Sequence, residues 1–229
     1  LRPKTILLEN VPEMAKTLIV HPDGSLVNIL EFVRDSLGED YRLSARVIEF
    51  ADYGVAQCRQ RLLSVATREP ELVDWYDRGG DFFPNATHDQ HGANGLPKWI
   101  TVRDAISHLP PLDAKDQPDL SDTVPFHRVP ILDEMKYWWV SNTPAERTAF
   151  DNQCVECNSQ NSKKHVAKRT NDGINRSSRE TPIHCGDCGA LLPRPSVVKG
   201  GKRVLMKGFT SAYKRMSYDK PASALTRNL

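Results

Sequence analysis

The sequence predicts an α/β protein with an open sheet in its first part and a smaller, cysteine-bearing region after it. Two observations carry this prediction. Between Lys4 and Thr67, short apolar runs typical of buried strands alternate with a helical pattern. Beyond Asp151, large apolar residues become scarce and four of the five cysteines appear. This change indicates a boundary near Asp151. For the whole chain we expect two regions, residues 1–112 and 113–229, and the second contains a cysteine module at about 151–192 and a C-terminal block at about 204–229.

The first region has the order strand, helix, strand, strand. Lys4–Leu8 predicts a short buried strand that ends at the corner formed by Glu9 and Asn10. After the turn HPDGS we expect a helix with Ser25 as its N-cap and Gly38 as its stop. ARVIEF and RLLSVAT are two further strand candidates, separated by the turn-like ADYGVAQCRQ. The apolar residues with helical spacing are Leu26, Ile29, Leu30, Val33 and Leu37.

The middle of the chain predicts a long connection and two helical segments. Residues 68–98 are rich in Pro, Gly, Asp and His, which is typical of a loop. ITVRDAISHLPPL predicts a short helix stopped by its two prolines, and LDEMKYWWVSNTPAERTAF carries further helical character.

The charge is divided unevenly between the two parts of the chain. From Asp151 onward there are 15 Lys and Arg against 6 Asp and Glu, whereas the preceding residues carry 16 against 23. This asymmetry indicates a polyanionic partner for the basic part, most simply nucleic acid, although a solvated surface of uneven charge is the alternative. We expect phosphate contacts from Lys168, Arg169, Lys214 and Arg215. No apolar run approaches a membrane span and no signal peptide is recognisable, so we expect a cytoplasmic protein.

Two CxxC pairs form the most specific motif. Cys154 and Cys157 in CVEC, with Cys185 and Cys188 in CGDC, have the spacing of a tetrahedral zinc site. Four sulfurs complete the coordination shell, so the zinc would be structural and would hold a segment too poor in apolar residues to form a core. Two disulfides or a redox dithiol are the alternatives; the first needs an oxidising compartment, and the second would not occur twice. Because the four cysteines leave no vacancy, we expect His165 and His184 to be surface or DNA-facing residues.

Four stretches resemble signature blocks of the DNA cytosine-5 methyltransferases. ILLENVPEM resembles the family's strand that ends in Glu-Asn-Val, and ADYGVAQCRQRLLSVATR resembles its Gln-x-Arg-x-Arg block. WITVRDAISHLPPL is similar to the segment before target recognition. YKRMSYDKPASALTRNL looks like the late block, with Arg215, Pro221 and Thr226 at matching places. The blocks occur in the family's order, which makes the set far more specific than any one of them.

The resemblance implies a fold and a chemistry. The fold would be part of a Rossmann-like, S-adenosylmethionine-dependent methyltransferase sheet, joined to a smaller target recognition domain with a zinc ribbon. In the family's mechanism a cysteine attacks carbon 6 of a flipped cytosine, and carbon 5 then takes the methyl group of S-adenosylmethionine. Glu9 would protonate or bind ring nitrogen 3 of a cytosine flipped out of double-stranded DNA. Arg61 would hold the cytosine carbonyl oxygen and orient the carboxylate, while the remaining site residues support them: Asn10, Gln57 and Arg59.

Two family hallmarks do not occur in the sequence: the glycine-rich turn that binds the cofactor, and the Pro-Cys loop. Cys58 follows Gln57 rather than a proline, so we expect it to fill space and not to act as nucleophile. The cofactor-binding residues thus stay unassigned, and we expect this chain alone to be inactive. A truncated methyltransferase and the second subunit of a split enzyme both fit, and the abrupt start and end favour truncation. A non-catalytic zinc-containing DNA-binding subunit and an RNA cytosine methyltransferase stay open as alternatives. Neither the target sequence nor membership of a restriction-modification system follows from these residues.

Overall fold

The computed structural model describes residues 2–116, 124–165, 167–169, 175–177, 181–206 and 212–224, with the backbone alone at 167–169 and 175–177. The chain divides into two compact units. Unit 1 comprises the residues up to Asp104 together with Lys220–Ala224, and unit 2 comprises Ala105–Asp219. None of the helices in the described part is long and apolar enough to cross a membrane.

Both units combine strands with short helices. The strands are β1 Thr5–Asn10, β2 Leu18–Val20, β3 Leu26–Asn28, β4 Arg42–Glu49, β5 Gln57–Cys58, β6 Gln60–Thr67, β7 Ala167–Arg169, β8 Asn175–Ser177, β9 Ser196–Lys199, β10 Lys202–Leu205 and β11 Ala222–Ser223. The helices are α1 Ile29–Leu37, α2 Pro70–Asp77, α3 Val102–Ile106 and α4 Glu134–Ser141. Single 3₁₀ turns lie at Pro12–Lys16, Phe50–Tyr53, Ala93–Gly95 and Ala149–Asp151. The two helices expected in the middle of the chain are thus present as α3 and α4, whereas the stretch 68–98, expected to be a loop, contains the helix α2.

Unit 1 is built on a three-stranded sheet of order β1-β6-β4, in which both pairings are antiparallel. Its core lies where one face of this sheet meets α1. Tyr41, Leu43 and Ala66 are buried there, and Ile6, Val33 and Leu37 pack against them. The helical spacing of Val33 and Leu37 therefore does what the sequence predicts: it turns an apolar stripe toward the sheet.

The first strand is not the buried strand that its apolar run predicts. Leu7 is 68% exposed, Leu8 is also exposed on the opposite face, and β1 pairs with only one of the described strands, β6. An apolar run is buried only when neighbours cover both faces and both edges, which the strand's own sequence does not reveal.

The first helix begins three residues later than Ser25 predicts. β2 and β3 form a hairpin, and Ser25 lies in its turn, where its backbone N–H and its hydroxyl both bond Asp23 Oδ1. Asn28 is the N-cap of α1, and its side-chain oxygen accepts from the backbone N–H of Leu30 at 2.9 Å. Leu26, counted with the helix by its spacing, belongs to β3. Gly38 does end the helix, with a φ of +78°.

The described residues of unit 2 include two small buried groups. Trp139 of α4 packs edge-on against Tyr213, which also meets Phe150. Cys154, Cys185 and Leu192 form a separate cluster around the cysteine module, and β9 and β10 follow it as a hairpin. The first cysteine of each CxxC pair is therefore buried with Leu192, whereas Cys157 and Cys188 are exposed.

Candidate active site and metal centre

The end of β1 brings an acidic and a basic side chain into contact. Glu9 lies opposite Leu63 in the sheet, and Arg61 lies on the same face of β6 two residues before Leu63. Arg61 Nε is 2.5 Å from Glu9 Oε1, and the guanidinium also donates to the carbonyl of Gln60. The Glu9 side chain is 52% exposed and that of Arg61 is 20% exposed. The pair is therefore held from the protein side and open to a ligand from the solvent side.

A second arginine on this face is already engaged. Arg46 also lies opposite Leu63, across the other edge of β6, but it pairs with Asp81 and lies over the ring of Phe83 at 5.0 Å. The backbone N–H of Phe83 and the Arg46 guanidinium both lower the pKa of Asp81 below its usual value. Of these two arginines, it is therefore Arg61 that pairs with Glu9.

The Gln-x-Arg-x-Arg block has a shape fixed by a carboxylate. Glu49 Oε1 accepts from the backbone N–H of Arg59 at 2.6 Å and from that of Ala51 at 3.4 Å. The backbone N–H of Phe50 donates to the carbonyl of Arg59, which closes the same turn. Gln57 pairs in β5, and Arg61 follows in β6, so this turn sets the direction in which the chain enters the strand that carries Arg61.

The Asp-Tyr-Gly turn is docked against the long connection. Asp52 Oδ1 accepts from the indole N–H of Trp99 at 2.8 Å, and its carbonyl accepts from the backbone N–H groups of Thr87 and His88. Gly54 has a φ of +79°, and a Cβ there would lie 2.8 Å from Cε1 of His88. Glycine is required at this position on both counts.

The late block returns to the same part of unit 1. β11 pairs in parallel with β5, so that Ala222 lies opposite Gln57 and Ser223 opposite Cys58. The backbone N–H of Val102 donates to the carbonyl of Lys220, immediately before Pro221. Three stretches distant in sequence therefore meet around the Gln-x-Arg-x-Arg block. Thr226, the remaining matched position, lies outside the described residues.

The other residues expected at the site have local roles in the structure. The side-chain oxygen of Asn10 accepts from the backbone N–H of Val11 at 2.8 Å and shapes the exit from β1. Cys58 is half-buried; burial raises the pKa of its thiol, and the charge of Glu49 raises it further. A thiol so disposed is protonated at neutral pH, which fits the expectation that Cys58 is not a nucleophile.

The four module cysteines converge on one point. Their sulfurs all lie within 4.8 Å of one another. Cys154 Sγ lies 3.6 Å from Cys188 Sγ, and Cys157 Sγ lies 3.7 Å from Cys185 Sγ. Four sulfurs at the corners of a tetrahedron, each about 2.3 Å from a zinc ion, would be about 3.8 Å apart. The donor set and its spacing therefore fit zinc, and each close pair joins one CxxC motif to the other.

Backbone N–H groups favour the thiolate form of one of these cysteines, Cys185. The N–H groups of Cys188 and Asp187 lower the pKa of the Cys185 thiol to about 7. The pKa of Cys157 is raised even though the Ser159 N–H lowers it, because the neighbouring sulfurs oppose a further negative charge. Four thiolates this close need a cation to ionise together.

The two histidines near the module differ from each other. His184 is exposed, as expected. His165 is not the surface or DNA-facing residue that we expected: its ring stacks on Phe150 at 4.9 Å and bonds Thr181, and burial lowers its pKa. The aromatic partner supplied by the fold explains the difference.

Of the four basic residues expected to contact DNA, the structure describes the side chains of Lys214 and Arg215. Lys214 and Arg215 are exposed, and their backbone is held beside residues 146–148 by an isolated bridge and hydrogen bonds. The guanidinium of Arg215 also donates to the carbonyl of Thr143. Lys168 and Arg169 lie in β7, which pairs with β8, but their side chains lie outside the described residues.

Three important residues escaped the sequence analysis: Glu49, Asn152 and Arg194. Asn152 and Arg194 are fully buried in unit 2 and bond backbone carbonyls. Glu49 lies at the end of a predicted strand and has no motif of its own. Polar residues of these types are usually exposed, so no pattern in the sequence distinguishes them.

Comparison with known proteins identifies the family whose pattern this chain carries. The model of the family described as C-5 cytosine-specific DNA methylase matches residues 1–190. That range contains three of the four resembling stretches and all four module cysteines.

Three curated relatives are Type II methyltransferases. The chain is 24% identical to M1.HgaI of Avibacterium volantium over 226 residues, which is 99% of this chain and 45% of that protein. It is 34% identical to M.NgoFVII of Neisseria gonorrhoeae over 110 residues, which is 48% of this chain and 26% of that protein. It is 27% identical to M1.HphI of Haemophilus parahaemolyticus over 138 residues, which is 59% of this chain and 31% of that protein. The chain thus spans less than half the length of each of these relatives.

Proposed function

Because the chain belongs to the C-5 cytosine-specific DNA methylase family, we propose that it carries the cytosine-activating part of a DNA cytosine-5 methyltransferase together with part of its target recognition domain. The observation that supports this most is the contact between Glu9 and Arg61 at the end of β1. An acidic strand end in a DNA-binding scaffold needs no cationic partner, whereas cytosine activation needs both groups side by side.

The two side chains have complementary tasks in this proposal. Cytosine resists attack at carbon 6 because negative charge then develops on its ring. The Glu9 carboxyl shares a proton with ring nitrogen 3, which takes up that charge. Arg61 binds the carbonyl oxygen of the base and holds the carboxyl in place through a charge-assisted bond. S-adenosylmethionine supplies the methyl group when it is bound.

The exposure of the pair suits a flipped base. A cytosine in a duplex is stacked and cannot reach a protein side chain, so the base must leave the helix. About half of the Glu9 side chain is exposed although it contacts Arg61, which leaves part of the carboxylate accessible to the base. Gln57 and Arg59, on the turn fixed by Glu49, are the supporting residues that we assign to the same site.

The cysteine module, the basic residues and the exposed leucines of β1 suit the recognition domain and the sheet of such an enzyme. The four cysteines would hold a structural zinc ion. This ion would lie within the recognition region, which we assign to residues 113–229. Lys214 and Arg215, with Lys168 and Arg169, would contact DNA phosphates. Further helices of a Rossmann-like fold would cover the exposed Leu7 and Leu8 on the two faces of β1, and a further strand would pair with its edge, whether from the same polypeptide or from a complementing subunit.

Mass spectrometry of DNA from cells that carry the native gene tests the proposal. Digested DNA from these cells should contain 5-methyl-deoxycytidine, and deletion of the gene should remove it. The absence of 5-methyl-deoxycytidine with the gene intact and expressed, or a methyl group at another base position, would contradict the proposal.

A further inference from the structure

Arg194 is the most unusual residue of unit 2. Its side chain is fully buried, although arginine is among the residue types that are almost never buried without partners. It lies two residues after Leu192, which packs against Cys154 and Cys185. Burial lowers the pKa of Arg194 to about 10, so the guanidinium still carries its charge at neutral pH.

The guanidinium bonds three backbone carbonyls from three separate segments. Its Nε donates to the carbonyl of Asn152 at 2.7 Å. One terminal nitrogen donates to the carbonyls of Lys163 and Pro182, both at 2.9 Å. Asn152 lies two residues before Cys154, and Pro182 lies three residues before Cys185. A single planar group therefore fixes the backbone that leads into each CxxC pair.

A second layer of bonds holds the first of these segments. The side-chain amide nitrogen of Asn152 donates to the carbonyls of Pro193 and Trp139, and it lies 3.2 Å from Thr143 Oγ1. Asn152 thus joins the residue next to Arg194 to the end of α4. The segment that carries Cys154 is held from two sides, and neither contact involves a sulfur.

We propose that Arg194 is a positioning residue for the metal centre: it sets the separation of the two CxxC pairs, and through it the affinity for the ion, without touching the ion. This rests on the zinc site of the proposed function. The fixed fork of a guanidinium can hold three carbonyls in one plane, whereas the ammonium of a lysine is a point donor and cannot reproduce that geometry. Residues that orient ligands from outside a metal's coordination shell typically change affinity about 10–100-fold when replaced.

The test compares R194K with R203K in the full chain. Arg203 lies in β10 of the same unit, half-buried, and bonds only the side chain of Ser196 among the contacts seen for its guanidinium, so the same substitution there leaves the module untouched. Zinc affinity is measured by competition with a chromophoric chelator, and cobalt replaces zinc to report the four-thiolate ligand field. We expect R194K to weaken zinc binding about ten-fold or more, with a shifted cobalt spectrum, and R203K to stay within about two-fold of the unsubstituted chain.

Each outcome decides one claim. Equal zinc affinity for R194K and the unsubstituted chain would overturn the positioning role while leaving the zinc site intact. No zinc binding and no thiolate-cobalt spectrum for the unsubstituted chain would overturn the zinc site itself. If R194K is isolated unfolded, it is titrated with zinc: recovery of the folded circular dichroism spectrum at high zinc supports positioning, because the ion then supplies the missing constraint. Failure to recover at saturating zinc would overturn it in favour of a packing role.

Discussion

Single residues set the geometry of the proposed active site through backbone pairing. Glu9 and Arg61 meet because the β1–β6 register places them on one face, two residues apart along the strand. A shift of register by one residue would turn Glu9 to the opposite face and separate the pair. The ion pair therefore depends on the β1–β6 register. The turn at Gly54 lies between β4 and β6 and supports the other pairing of the strand that carries Arg61.

Replacement of Gly54 by alanine should destabilise unit 1 through two effects. Its φ of +79° costs about 1–2 kcal/mol for any residue with a Cβ. The new methyl group would also displace the ring of His88, which adds a further cost. The free energy of unfolding is measured by urea denaturation.

Gly95 is the matched control because its φ is +75° and a Cβ added there would meet no atom within 4 Å. G95A should show the backbone cost alone. Equal losses for G54A and G95A would contradict the close packing of His88 on this turn.

Among the elements, α1 offers a direct check of where a helix begins. N28A removes the side-chain acceptor of the Leu30 N–H and the bond that the Asn28 amide donates to the carbonyl of Ala15. The substitution should lower the free energy of unfolding by about 1 kcal/mol or more. S25A removes only a turn contact with Asp23 and should cost less. A larger loss for S25A than for N28A would show that the helix begins where its apolar spacing alone predicts.

The metal module makes a second prediction at this scale. C154S should lose the single zinc ion per chain that we expect, because a three-sulfur site with a buried hydroxyl no longer completes the tetrahedron. C58S, which changes the cysteine outside the cluster, should keep it. Inductively coupled plasma mass spectrometry measures the metal content. Equal zinc content in C154S and C58S would count against the site.

The same site predicts a dependence on pH. Lowering the pH should release the ion from the unsubstituted chain, because protons compete for the sulfurs.

The sequence predicted which helices and strands form better than it predicted their burial and their pairing. α1, β4, β6 and the convergence of the four cysteines follow from spacing, which is a local property. The exposure of β1 and the hairpin that takes Leu26 from the helix depend on which strands pair, and pairing is decided by distant residues. The burial of Arg194 was out of reach for the same reason, since its partners are backbone carbonyls that carry no residue-type signal.

At the scale of the whole molecule, the charge asymmetry predicts how the chain meets DNA. K214A should weaken DNA binding at every sequence and reduce the slope of log K against log salt by about 1, because one phosphate contact is lost. K4A is the control, since Lys4 lies in unit 1 and pairs with Glu69. Fluorescence anisotropy over a salt series measures the DNA affinity and its salt slope for both variants. An unchanged slope for K214A, or an equal loss for K4A, would place the DNA-binding surface elsewhere.

The most direct test of the account concerns Glu9 itself. The native gene carrying E9Q is expressed in cells, and 5-methyl-deoxycytidine in their DNA is compared with that from the unsubstituted gene at equal protein level. Loss of the shared proton should reduce methylation about 100-fold or more, whereas E13Q, an exposed glutamate in the next turn, should leave it unchanged. Methylation by E9Q at the level of the unsubstituted gene would contradict the central claim that the Glu9–Arg61 pair activates cytosine.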